Sequence, residues 1–79
     1  MKLPRDLSGR ALAAQLSKHW HYTLVHQRGS HLVLETQMPR HHRIAIPDHQ
    51  PLRIGTLSAI LKAVAEQQGV SKEELLSKR

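Results

Sequence analysis

Seven histidines stand in this chain of 79 residues, all of them between His19 and His49. Imidazole is the side chain whose charge changes near neutral pH, so their settings decide what they can do. The pairs His19/His21 and His41/His42 suggest metal ligation at first sight. Zinc, however, takes three or four convergent ligands, and no HExxH-type spacing is present. His41 and His42 also face opposite sides of any strand that contains both. These four therefore read as solvated histidines on a basic surface, and no metal is expected. His31 has a different setting. It follows the turn residues Gly29 and Ser30 and opens an alternating run, with Arg28 close in sequence and Arg43 able to reach the same face from the next strand. Imidazole can take a proton from a ribose 2′-OH. Guanidinium groups hold a phosphate and favour its developing negative charge. Such a group of residues suits cleavage of an RNA phosphodiester with the adjacent 2′-OH as nucleophile, a route that leaves DNA refractory. An exposed strand histidine is also commonly inert, so the residue types alone leave both readings open. His49, beside Asp48, reads either as a second acid or base or as a solvated loop histidine.

The elements that must position these residues follow from periodicity. Ser8 is a predicted N-cap, and Leu12, Leu16 and Trp20 recur four apart, so a helix is expected over 8–19 with Leu3 and Leu7 packing at its entry. Residues 22–27 are rich in β-formers and predict a strand. Arg28-Gly29-Ser30 is a tight turn in which glycine supplies the permissive backbone. A second strand over 31–37 puts Leu32, Leu34 and Thr36 on the core side and His31, Val33 and Glu35 on the other. Met38, Pro39 and Arg40 turn the chain into a third strand over 42–47, with Ile44 and Ile46 inward and Arg43 and Ala45 outward. After a loop containing Pro51, Leu57, Ile60, Leu61 and Val64 fall at i, i+3, i+4 and i+7 of a core helix. Thr56 is its expected N-cap and Gly69 its stop. Ser71-Lys72-Glu73-Glu74 is a capping box for a short last helix carrying Leu75 and Leu76. The expected class is α+β, in the order α-β-β-β-α plus a terminal helix, with helices on one face of an antiparallel sheet and the other face open.

Composition narrows the function classes. Lys and Arg number 12 against 6 Asp and Glu, a formal net charge of +6, which favours polyanionic partners such as nucleic acid. Lys2, Arg5, Arg10 and Arg40 either extend a phosphate-binding surface or simply solvate their surroundings. The length fits one domain over 1–79 and excludes a barrel or dinucleotide-binding enzyme. No cysteine is present, so disulfide frameworks and thiolate metal sites are excluded. The apolar runs are too short to span a membrane, and the first ten residues lack the apolar stretch of a signal peptide. The expected location is cytoplasmic.

Four stretches resemble the HicA-type mRNA interferase toxins. These are Lys2-Leu3-Pro4-Arg5-Asp6-Leu7-Ser8-Gly9-Arg10, Gln27-Arg28-Gly29-Ser30-His31, Ile46-Pro47-Asp48-His49 and Gly55-Thr56-Leu57-Ser58-Ala59-Ile60-Leu61-Lys62. They occur in the family's order and at nearly its spacing. The resemblance implies a double-stranded-RNA-binding-domain-like fold. It also implies a toxin of a type II toxin–antitoxin pair that cleaves mRNA and is blocked by a HicB-type antitoxin, without a cofactor. The family's Gly-Ser-His signature maps its key histidine onto His31. In that reading Arg28 and Arg43 contact phosphate, Arg5, Arg40 and Lys2 add to the RNA surface, and Gly29 and Ser30 hold His31 in place. The chain departs from the family at Ala11, where glutamate is common, and at His21, where glycine often ends the first helix. A module that binds RNA without cutting it is the alternative, and a protein-interaction domain docking through its open sheet face is a third.

Overall fold

The computed structural model describes residues 3–77. Lys2, one of the expected RNA contacts, lies outside them. The order is α1 (Gly9–His19), β1 (Thr23–Arg28), β2 (His31–Thr36), β3 (His42–Pro47), α2 (Ile54–Gln68) and α3 (Lys72–Ser77). The strands form one antiparallel sheet in the order β1-β2-β3. Helix α1 lies against all three strands, α2 against β3, and α3 against α2. This is the α+β, double-stranded-RNA-binding-domain-like arrangement that the periodicity and the resemblance predict.

The core forms where apolar stripes of helical and strand period meet. Leu12 and Leu16 of α1, Leu32 and Leu34 of β2, Ile46 of β3, and Leu57, Leu61 and Val64 of α2 are all essentially inaccessible to solvent. Leu7 and Leu52 join them from the flanking segments, where the Leu52 N–H donates to the Leu7 carbonyl at 2.8 Å. Ser8 caps α1 as expected, its Oγ accepting from the Ala11 N–H at 3.0 Å. The capping box of α3 is also present. Glu74 N–H donates to Ser71 Oγ at 3.1 Å, and Ser71 N–H reaches back to Glu74 Oε1 at 3.5 Å. Gly69 ends α2 in the left-handed region at φ 69°, with the Val70 N–H returning to Ala65.

Two local expectations are corrected. Helix α2 begins at Ile54 with Arg53 at its N-cap, and no side chain caps it. Thr56 therefore lies inside the first turn. Leu52, buried just before the helix, sets where the chain must turn, and that anchoring overrides the capping preference of threonine. The first strand runs Thr23–Arg28, one residue later than expected, and is irregular. Leu24 pairs with Leu34 and His26 with Val33, so Val25 is an extra residue, a β-bulge.

The bulge settles a conflict of parity. Tyr22 and His26 are four apart, and unbroken alternation would put both on one face. With Val25 added, Tyr22 turns into the core at 2% exposure while His26 stays on the opposite, open face. The Tyr22 hydroxyl lies 2.8 Å from His42 Nδ1, and the two rings meet edge to face.

The first turn of α1 approaches β3 closely. Gly9 is buried, and its N–H donates to the His49 carbonyl at 2.9 Å. A Cβ at this position would fall 1.8 Å from the Pro47 carbonyl oxygen. Only glycine allows α1 to sit this near the end of β3.

Candidate functional site

The β1–β2 hairpin sets the site. Arg28 pairs with His31, so Gly29 and Ser30 alone make the turn. Gly29 has φ 56°, the positive value that two-residue hairpin turns require at their first position. This turn places Arg28 and His31 side by side on one face. From there alternation brings up His26 and Val33, and then, from β3, Ala45 opposite Val33 and Arg43 opposite Glu35. His31 itself is paired with Pro47. Next to that pair, the Asp48 N–H donates to the Ser30 carbonyl at 2.6 Å and the Asp48 carboxylate accepts from Arg10 at 2.8 Å. The turn carrying His31 is thus tied to the end of β3, and through Gly9 to α1.

A shallow depression of about 400 Å³ opens on this face, lined by His26, Arg28, His31, Val33, Arg43, Ile44 and Ala45. Its floor is apolar, with Val33 buried although it points away from the helices. Its rim carries two imidazoles and two guanidinium groups. The arrangement can hold a phosphate by charge and offers imidazole nitrogens for proton transfer beside it.

Of the expected site residues, the structure brings together Arg28, His31 and Arg43. Gly29 and Ser30 shape the turn and do not line the depression. Arg5 lies in the segment before α1. Arg40 belongs to the turn between β2 and β3, at the sheet end opposite His31, where its carbonyl accepts from Gln67. Neither lines the depression. Arg43 is also partly committed, since its guanidinium lies 3.0 Å from the Glu35 carboxylate. His41 Nε2 lies 3.2 Å from the same carboxylate oxygen. Together, His41 first and Arg43 second, they hold the Glu35 carboxyl below the usual carboxylate range.

Of the four histidines expected to be solvated, His21 and His41 are exposed, whereas for His19 and His42 the expectation is corrected. His41 is engaged by Glu35. His42 is half-buried against Tyr22, and burial, then the neighbouring His41, pushes its pKa below the ordinary histidine value. Burial raises the pKa of the Tyr22 hydroxyl, a shift partly opposed by a hydrogen bond with Gln68. His19 has a buried Nε2 without a hydrogen-bond partner among the described residues. His21 is exposed, with φ 66°, the left-handed conformation that favours glycine. His49 does not line the depression. Among the described residues no group of three or more His, Cys, Asp or Glu is placed to hold a metal ion.

His26 is the lining residue for which the sequence suggested no role. A signal for it was present. A two-residue turn fixes Arg28 opposite His31, and His26, two residues before Arg28, must then share that face.

A thin α+β domain with a helical layer on one side of its sheet and a basic, imidazole-bearing face on the other defines a class of small proteins with an open, cationic sheet surface. Within that class, residues 10–65 match the family model described as the HicA toxin of bacterial toxin–antitoxin systems. The match covers well over half of the chain and takes in every residue lining the depression, and the chain belongs to this family. Membership makes it a toxin with an antitoxin as its partner. No curated protein and no solved structure matches the chain. Among the described residues no helix is long and apolar enough to cross a membrane.

Proposed function

We propose that this toxin is an endoribonuclease that cleaves mRNA in the cytoplasm without a metal ion, with His31 as the acid–base group and a HicB-type antitoxin as its inhibitor. The observation that carries the reading is the tight hairpin that sets His31 beside Arg28 over an open, basic depression. RNA brings its own nucleophile, the 2′-OH next to the scissile phosphate. The protein then has to move a proton and balance charge, and imidazole and guanidinium do both. Arg28 is the principal phosphate contact, with Arg43 beside it.

The test incubates the purified chain with end-labelled single-stranded RNA in EDTA, next to His31→Ala. A positioned acid–base group contributes about 10²–10⁴-fold in rate, so the variant is expected to fall by that factor. DNA of the same sequence should remain intact. Retention of RNA by both proteins without new ends would identify a non-catalytic RNA-binding module instead. Equal cleavage by both proteins would remove His31 from the chemistry.

A further inference from the structure

Cleavage of a phosphodiester by its neighbouring 2′-OH needs two proton transfers, one at each of the oxygens that exchange places on phosphorus. His31 can perform only one at a time. A second imidazole shares its depression. His26 on β1 stands opposite Val33, and His31 lies two residues along β2 from Val33, so His26 and His31 are diagonal neighbours on one face. Diagonal positions are about 7–8 Å apart, and somewhat less between their Cβ atoms. That gap leaves room for a phosphodiester between the two imidazole rings.

Two further observations set His26 apart. The bulge at Val25 adjoins it, and bulges recur where a side chain has to be re-aimed near a site. Here the extra residue allows Tyr22 to enter the core without pulling His26 off the open face. His41 and His42 are held by Glu35 and Tyr22. By contrast, no side-chain hydrogen bond or ion pair to the described residues engages the imidazole of His26 or of His31.

We propose that His26 is the second catalytic histidine, the general acid for the leaving group. The proposal rests on the endoribonuclease reading. In the step, the 2′-O–H bond breaks and its proton passes to neutral His31. The freed electron pair forms the bond from the 2′-oxygen to phosphorus. The bond from phosphorus to the 5′-oxygen breaks, and that oxygen keeps the pair and takes the proton of the His26 imidazolium. The products are a 2′,3′-cyclic phosphate and a 5′-hydroxyl end, and solvent restores both rings.

The experiment compares the full-length wild type, His26→Ala and His31→Ala on two RNAs that are identical except at the mapped cleavage site. One carries the natural 5′-oxygen there, and the other carries sulfur in its place. A thiolate leaves without a proton, so it needs no general acid. On natural RNA, His26→Ala is expected to lose about 10²–10⁴-fold, whereas on sulfur-containing RNA it should return to within about tenfold of wild type. His31→Ala should stay slow on both. A structural defect would slow both substrates alike, and that outcome overturns the assignment. So do wild-type rates for His26→Ala on natural RNA, and so does rescue of His31→Ala in place of His26→Ala. His26→Gln, with circular dichroism of each variant, guards against misfolding. If wild type cleaves neither RNA, the endoribonuclease reading falls together with the proposal. If wild type cleaves and His31→Ala does not, failure at His26 touches His26 alone.

Discussion

Replacing Gly9 by alanine places a methyl group against fixed backbone. The new Cβ would lie 1.8 Å from the Pro47 carbonyl oxygen and 3.3 Å from Ile46 Cγ2. Real Cβ contacts essentially never fall under 3.0 Å, so α1 and β3 must part by about 1.2 Å. That displacement lengthens the 2.9 Å hydrogen bond from Gly9 to His49 beyond useful range and draws Leu12 away from its neighbours. Overpacking costs about 1–3 kcal/mol and an unsatisfied buried N–H about 1–3 kcal/mol. Loss of glycine's freedom in the unfolded chain returns about 0.4–1 kcal/mol. At the middle of these ranges the net destabilisation is about 3 kcal/mol, which lowers Tm by roughly 12–24 °C in a domain of this size. Gly55, also in the first turn of a helix, provides the control. Nothing lies within 4 Å of a Cβ built there, so Gly55→Ala should gain about 0.4–1 kcal/mol and raise Tm by a few degrees. Thermal unfolding followed by circular dichroism measures both. A Gly9→Ala variant melting within about 2 °C of wild type, less than 1 kcal/mol would move it, would refute the close approach as a constraint on the fold.

Three further outcomes are expected. His42 has its folded pKa below the unfolded value, so the unfolded chain binds more protons as pH falls beneath about 6.5. Its stabilising contribution is complete above that pH and is lost as pH drops from there towards the folded pKa. His42→Gln, which keeps an acceptor for Tyr22, should therefore lose less Tm than wild type between pH 7.5 and 5.5, and parallel pH curves would contradict this. Glu35 titrates lower still, below its ordinary 4.5, and stays outside this window. In RNA binding measured by anisotropy across NaCl concentrations, with His31→Ala as background, Arg28→Ala should flatten the salt dependence by about 0.7 in log–log slope. Glu35→Gln should steepen it by a similar amount, since it releases Arg43. An unchanged slope for Arg28→Ala would remove that residue from the phosphate contacts.

The periodic parts of the fold were legible in the sequence. Leu32, Leu34, Ile44 and Ile46 alternate, Leu57, Ile60, Leu61 and Val64 keep helical spacing, and Ser8 and Ser71 announce their helices. Sequence patterns of this kind report local geometry, and the missed features are non-local. The bulge at Val25 answers a demand from Tyr22 and His42, which are 20 residues apart. Gly9 is required by a carbonyl on β3, and nothing nearby in sequence signals it. In the site, the Gly29-Ser30 turn fixed Arg28 and His31, and Arg43 followed by alternation. The engagement of Arg43 by Glu35 depends on strand register, and composition carries no trace of it.

The extra residue in β1 has one more effect, on how copies of this toxin meet each other. A three-stranded sheet leaves two outer strands, and β1 is exposed along its whole length, with Leu24 and Val25 about half accessible. A long, regular apolar edge offers its free N–H and C=O groups as a template for another chain's strand and invites aggregation. At Val25 the repeat of those groups is broken and the strand twists more sharply, so an incoming strand cannot stay in register along it. The residue that allows Tyr22 and His26 to face opposite ways therefore also protects the sheet edge against self-association.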